Sequence, residues 1–177
     1  MDGVMTNNKG VFVLGATNRP WDIDNAFKRG NRFEEVIYVT LPTLSERIKI
    51  FKYYCDKIKN KNKINYIKLG MSSFGMSPSD ISQATNNAVK AKVAQVLWAN
   101  KKQDPVSTKD ILKELKKIKS ILPEWYQKTY LDMQKLPPEE RSSYKELLKD
   151  CKFWQKNAKS YKVIFSILAF LASFKLY

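Results

Sequence analysis

An asparagine that closes a short apolar run, Asn18, and two arginines further on, Arg29 and Arg32, are the side chains best suited to chemistry in this sequence. The run Val11-Phe-Val-Leu-Gly-Ala has β-branched and aromatic residues and no polar break, the pattern of a strand buried on both faces of a parallel sheet. Thr17-Asn18 then falls at the strand's carboxyl edge, where open α/β sheets bind ligands. A neutral amide placed there can orient a water and touch a γ-phosphate without adding charge. The structural alternative is an Asx-turn ahead of Arg19-Pro20. Guanidinium groups are permanently charged and forked, which suits a transferring phosphoryl group whose charge spreads over its equatorial oxygens. The structural alternative for Arg29 and Arg32 is pairing with Glu34 or Glu35 on a solvated surface.

The rest of the composition removes other chemistries. The 177 residues contain no histidine and only two cysteines, Cys55 and Cys151, so His-based triads, Cys₂His₂ zinc sites and histidine general bases are excluded, and a reducing, cytoplasmic setting is expected. Met1-Asp2-Gly3 leads into polar residues rather than an apolar run, so no signal peptide is read there. The formal charge is +15, and because residues 1–42 hold five charges of each sign, the entire basic surplus follows Pro42. Such a surplus attracts nucleic acid, anionic membranes or acidic partners, or simply solvates loops such as Lys59-Asn-Lys-Asn-Lys63. No aromatic-basic RNA motif or recognition-helix signature accompanies it, so nucleic acid is not an expected partner.

The elements that must position these residues change character at Pro42. Before it, a second strand is expected at Val36-Ile-Tyr-Val39 and a short helix near Asp22-Ile-Asp24. After it, the periodicity is helical. Thr43 and Glu46 form a capping box for a helix with Ile48, Phe51, Tyr54, Cys55 and Ile58 on one face. Ser77-Pro-Ser-Asp80 starts a second helix, with a stripe Ile81, Ala84, Ala88, Ala91, Ala94, Trp98. Ser107 with Asp110 starts a third, Pro123 opens an aromatic segment, and Pro137-Pro138 begins a helix with Tyr144, Leu147, Leu148, Cys151 and Trp154 on its face.

The stretch from Gly10 to Pro42, with Asn18-Arg-Pro-Trp-Asp-Ile-Asp and Arg29-Gly-Asn-Arg-Phe-Glu-Glu-Val-Ile-Tyr-Val-Thr-Leu-Pro42, resembles the second region of homology of AAA ATPases. Trp21, the Phe33-Glu to Leu41-Pro42 run and Gly75-Met-Ser-x-x-Asp80-Ile81 resemble the vacuolar-sorting, katanin and spastin group, including its archaeal CdvC-like cell-division members. The likeness extends over roughly residues 1–133. It implies an α/β remnant of a P-loop NTPase large domain (1–42), an all-α AAA lid (43–120) and a helical C-terminal extension (121–177). It also implies that Asn18 is sensor 1, that Arg29 and Arg32 are arginine fingers reaching the ATP of an adjacent subunit, and that Ile50, Tyr54, Gly75, Pro78 and Ser79 line the adenine pocket. Pro78-Ser79 replaces the family's usual Gly-Ala, and Gly30-Asn31 separates arginines that are adjacent in close relatives.

No Gly-x-x-x-x-Gly-Lys-Ser/Thr loop and no apolar strand ending in Asp-Glu occurs in the sequence. Met1-Asp-Gly-Val4 resembles the helix just after the Walker B strand, so the Mg²⁺ ligands, the phosphate cradle and the substrate-binding pore loops are expected in a preceding half of the large domain. The complete protein is then an ATP-hydrolysing ring, a homo-hexamer of AAA subunits that remodels or disassembles protein complexes, and this chain alone is inactive. The alternatives are a non-hydrolysing partner that binds ATPase subunits and donates arginine fingers, or a basic membrane-associated module. The apolar tail bears on the last of these. Residues 161–177 would span about 25 Å as a helix, short of the roughly 30 Å of a hydrocarbon core, so burial against protein is expected ahead of membrane insertion.

Overall fold

A computed structural model describes residues 10–28, 32–33, 35–99 and 104–157. The expected tail helix at 161–177 lies outside these residues, as does Arg29. The chain divides into two compact units, Met1–Val39 and Thr40–Tyr177.

In the first unit the backbone makes two 3-10 turns, Pro20–Asp22 and Asn25–Phe27, the second in the place of the short helix expected to start near Asp22–Asp24. Pro20 suits the first position of its turn because it has no N–H to leave unpaired. The second turn is fixed by Asp24, whose carboxylate accepts from the Ala26 N–H at 2.7 Å, and by Phe27, whose carbonyl accepts from the Phe33 N–H at 3.1 Å. Trp21 is buried.

Neither expected strand is formed. Residues 11–16 and 36–39 carry no ladder, and among the described residues there is no sheet at all, so the α/β remnant is not borne out. The physical reason is visible in the side chains: Phe12 is 87% exposed and Ile37 79%, with Leu14 and Val39 similarly open. A strand buried on both faces needs neighbours to pair its N–H and C=O groups and helices to cover it, and these residues supply neither.

The second unit is helical: α1 (Leu44–Asp56), α2 (Tyr66–Met71), α3 (Pro78–Ala99), α4 (Thr108–Leu115), α5 (Leu122–Gln134), α6 (Pro138–Ser142) and α7 (Lys145–Asn157). The expected caps are in place. Thr43 accepts from the Glu46 N–H at 3.4 Å while Glu46 accepts from the Thr43 N–H at 2.8 Å, and Ser107 and Asp110 repeat the exchange ahead of α4. Before α3, Ser77 and Asp80 do the same at 3.1 and 2.9 Å, and Pro78 is its first residue.

Helices α1 to α4 enclose one core of Phe51, Cys55, Ile64, Leu69, Met76, Ile81, Ala84, Ala88, Val106, Ile111 and Leu115. The lysine-rich segment 59–63 is more ordered than a solvated loop. Lys61 bridges to Val106 in parallel, and its ammonium donates to the Cys55 carbonyl at 2.7 Å. The stripe expected along α3 holds through Ile81, Ala84 and Ala88 but not to its end, since Trp98 is 87% exposed. Helices α5 and α7 pack on each other, burying Tyr126, Thr129, Met133, Leu147, Cys151 and Trp154.

Candidate functional site

The predicted residues fall into both units. Asn18 is exposed, and the turn beside it is closed not by its own amide but by Thr17, whose hydroxyl accepts from the Arg19 N–H at 3.0 Å. An Asx-turn at Asn18 would need an N–H on Pro20, which proline lacks, so the hydroxyl of Thr17 makes the turn here. Arg19 itself is engaged: its guanidinium pairs with Asp22 and lies over the Trp21 ring at 5.5 Å. The hydrogen bond from Arg19 holds the Asp22 carboxyl below the usual carboxylate value.

Arg32 is exposed and donates from Nη1 to the Ala26 carbonyl, so its side chain is steadied against the Asn25–Phe27 turn with most of its fork unused. Close by in this unit, a Cβ on Gly15 would stand 3.3 Å from the Phe33 ring, so the residue following Arg32 packs against the run that leads to Asn18. The two candidate phosphate-handling residues thus share one small unit. Chemically they offer a neutral amide and a forked cation, both open to solvent.

In the second unit, Ile50 and Tyr54 lie one turn apart on α1, half-buried and packed against the core. Tyr54 meets the Tyr53 ring edge-on at 5.1 Å, and Lys57 sits 4.0 Å above Tyr53 and donates to its hydroxyl at 2.8 Å. Gly75, Pro78 and Ser79 belong to the entry of α3. Gly75 is buried with φ +73°, a left-handed conformation that glycine adopts without strain, while Pro78 and Ser79 are exposed in the first helical turn. Because α1 and α3 pack directly on each other, both carriers of the predicted adenine wall are brought together in one rigid core.

Sequence reasoning missed Arg47, which is buried without a carboxylate partner in any recorded ion pair among the described residues. Its Nε donates to the Gly70 carbonyl at 3.1 Å and its Nη1 to the Pro42 carbonyl at 2.7 Å, and the Phe74 ring lies 5.8 Å away. Gly70 is in the last turn of α2, where unpaired carbonyls and the negative end of the helix dipole favour a cation. The signal was available: Arg47 sits four residues before Phe51, on the face of α1 that the apolar residues mark as buried.

The remaining titratable groups argue against nucleophilic or metal chemistry among the described residues. Burial raises the Cys55 thiol to about 11 and the Cys151 thiol to about 12, and both are free and buried. No group of three His, Cys, Asp or Glu residues is placed to hold a metal ion among the described residues. Nor is any described helix long and apolar enough to cross a membrane.

Comparison with known proteins matches residues 1–41 to the family described as "ATPase family associated with various cellular activities (AAA)". The chain is 37% identical over 97 residues to vacuolar protein sorting-associated protein 4B of Mus musculus, covering 54% of this chain and 21% of that protein. It is 35% identical over 123 residues to cell division protein C of Sulfolobus acidocaldarius, covering 67% and 32%. With the ATP-dependent zinc metalloprotease FtsH 4 of Synechocystis it shares 31% identity over 118 residues, covering 67% and 18%. The chain thus spans between about a fifth and a third of these relatives' length.

Proposed function

Since the chain belongs to the AAA family, in the group of the vacuolar-sorting and archaeal cell-division proteins, we propose that it is the C-terminal portion of an ATPase that couples ATP hydrolysis to the remodelling or disassembly of protein complexes. In this reading Asn18 orients the attacking water beside the γ-phosphate, and Arg32, with Arg29, neutralises charge on the ATP of the neighbouring subunit in a ring. The part of the second unit from α1 to α4 is the lid: Ile50 and Tyr54 on α1 and the Gly75–Ser79 entry of α3 flank the adenine. ATP supplies the phosphoryl group, and its phosphates and Mg²⁺ are held by residues of a preceding half of the large domain.

One observation carries the reading. The apolar runs that flank Asn18 and follow Arg32 stand open, with Phe12 87% and Ile37 79% exposed, although their composition is that of strands covered on both faces. A sheet completed by further strands would bury them and set Asn18 at its carboxyl edge.

The test is to assay the chain alone and fused behind the part of the S. acidocaldarius relative that precedes the matched stretch. The chain alone should show no Mg²⁺-dependent turnover above background, and the fusion should hydrolyse ATP. Arg32→Ala in the fusion should lower kcat by about 10³-fold or more with nucleotide affinity nearly unchanged. An equal loss of binding and turnover would place Arg32 in its own subunit's pocket, and turnover by the chain alone would overturn the reading.

A further inference from the structure

The turn from Ser72 to Ser77 is gripped from three different elements. Its own framework is local: the Met76 N–H donates to the Ser73 carbonyl at 3.1 Å, the Ser73 hydroxyl and N–H to the Gly70 carbonyl at 3.1 and 3.4 Å, and the Ser72 N–H to the Lys68 carbonyl at 3.0 Å. From α1, Arg47 shares that Gly70 carbonyl and lies over Phe74. From the connection between α4 and α5, the Ser120 hydroxyl donates to the Gly75 carbonyl at 3.4 Å. From α7, the Trp154 indole stacks on Phe74 at 6.0 Å with the planes 30° apart, while also stacking on Tyr126 of α5 at 5.8 Å and 10°.

Two of those three grips belong to residues that do not line the predicted adenine pocket and are far from it in sequence. Among the described residues the α1 to α4 core contains no residue of α5 or α7, and the aromatic stack and the Ser120 bond are contacts that join the helical pair to the lid outside that core. The site of attachment immediately precedes Ser77-Pro78-Ser79.

We propose that Trp154 and Ser120 are positioning residues for the Phe74–Ser77 turn, so that docking of the α5 and α7 pair sets the affinity of the lid for the adenine base. This rests on the reading of that turn as the wall of a nucleotide site. Docked, Trp154 and Ser120 hold Phe74 and the Gly75 carbonyl, and the left-handed Gly75 delivers the chain into the α3 cap in one conformation. Undocked, the turn loses the Trp154 stack and the Ser120 bond and keeps Arg47 and its local hydrogen bonds, and the base meets a wall that must first be ordered.

The experiment follows amide exchange in the full chain, comparing Trp154→Leu and Ser120→Ala with the parent. The Met76 amide should exchange about tenfold faster in Trp154→Leu and less so in Ser120→Ala. Cys55 should stay protected from a thiol reagent, which shows that the α1 to α4 core is intact. In the fusion that completes the large domain, Trp154→Leu should weaken binding of ADP labelled on its ribose by about two- to tenfold. Unchanged Met76 exchange in both variants overturns the proposal. Tyr54→Ala separates the two ideas: if it weakens ADP binding and Trp154→Leu does not, the positioning role falls and the nucleotide site stands. If neither weakens it, the nucleotide site falls and takes the positioning role with it.

Discussion

Replacing Gly70 with alanine tests how closely α1 and α2 approach, and therefore how the lid holds its buried arginine. A Cβ at position 70 would lie 2.7 Å from Cγ1 of Ile48 and 3.2 Å from Cδ1 of Leu44. Cγ1 is bonded directly to the Ile48 Cβ, and a β-branched residue in a helix has essentially one χ1 rotamer, so it cannot swing aside as the end of a flexible chain would. Either Ile48 leaves its rotamer or α2 moves away from α1. Overpacking of this kind costs about 1–3 kcal/mol, and replacing a helical glycine with alanine returns about 0.5–1 kcal/mol. The net loss should be about 0–2.5 kcal/mol. Movement of α2 also pulls the Gly70 carbonyl from Arg47, which donates to it from α1 at 3.1 Å. Urea unfolding of the full chain, followed by far-UV circular dichroism, should show a lower midpoint at an unchanged slope. Ile48→Ala removes the clashing atom, so in the double variant the alanine at 70 should cost at least about 0.5 kcal/mol less than it does alone. Costs that simply add in the double variant would show that the two helices do not meet here.

Other consequences follow from named groups. At pH 8 a thiol with a pKa of about 11, as for Cys55, is ionised roughly a hundredfold less than one at the ordinary value of 9.0, so native Cys55 and Cys151 should both label at least about a hundredfold more slowly than in urea. Rapid labelling of either in the folded chain would contradict its burial. Arg47→Lys keeps the charge but cannot span the Pro42 and Gly70 carbonyls with one fork, and it should lower stability by about 1–3 kcal/mol in the same urea assay. The Glu46 carboxyl is held below its usual value by the Thr43 N–H and hydroxyl, so its contribution is complete above the ordinary carboxylate range and disappears as pH falls through the lowered folded value. The gap in urea midpoint between parent and Glu46→Gln should therefore narrow from pH 6 to pH 3, and a gap that widens would reverse the sign of the argument.

Much of the second unit was legible because capping is local chemistry. Thr43 with Glu46, Ser77 with Asp80 and Ser107 with Asp110 each announce a helix start within four residues, and all three starts are where those pairs place them. Helix α2 was not legible: Tyr66–Met71 is too short to show a helical period and has a glycine near its end, and only Asn65, whose side chain accepts from the Lys68 N–H at 2.9 Å, marks its start. The helix expected from Pro138 is interrupted, since α6 ends at Ser142 and α7 begins at Lys145, although the face Tyr144, Leu147, Cys151, Trp154 is buried as its spacing implies. The strand patterns at 11–16 and 36–39 are of another kind. They state which neighbours these residues need, and a ladder forms only where neighbours are present. For the site, residue types pointed to Asn18, Arg29 and Arg32, and the family resemblance to Ile50, Tyr54, Gly75, Pro78 and Ser79, but the grip of Arg47, Ser120 and Trp154 on one turn joins residues more than 100 positions apart and leaves no local pattern to read.

The two units differ in how they can hold what they carry. Sites that act on a phosphoryl group need their side chains fixed within about 0.5 Å, which requires rotamers locked by packing. The Thr40–Tyr177 unit has that packing, with Phe51, Cys55, Leu69, Ile81 and Ile111 fully buried around the helices that present Ile50, Tyr54 and Gly75. Among the described residues of Met1–Val39, Trp21 is the buried side chain, and Asn18 and Arg32 are both exposed. One hydrogen bond from Arg32 to Ala26 and one from Arg19 to Thr17 cannot fix an amide and a guanidinium to that tolerance against the entropy of their own side chains. In the proposed ATPase the rigidity of Asn18 and Arg32 is therefore a property of the completed sheet, whereas that of the adenine wall comes from packing within the Thr40–Tyr177 unit. Substitutions in the lid core should act through its own stability, and substitutions at Phe12, Leu14, Ile37 or Val39 through the contact that completes the sheet, even though none of these four touches the nucleotide in this reading.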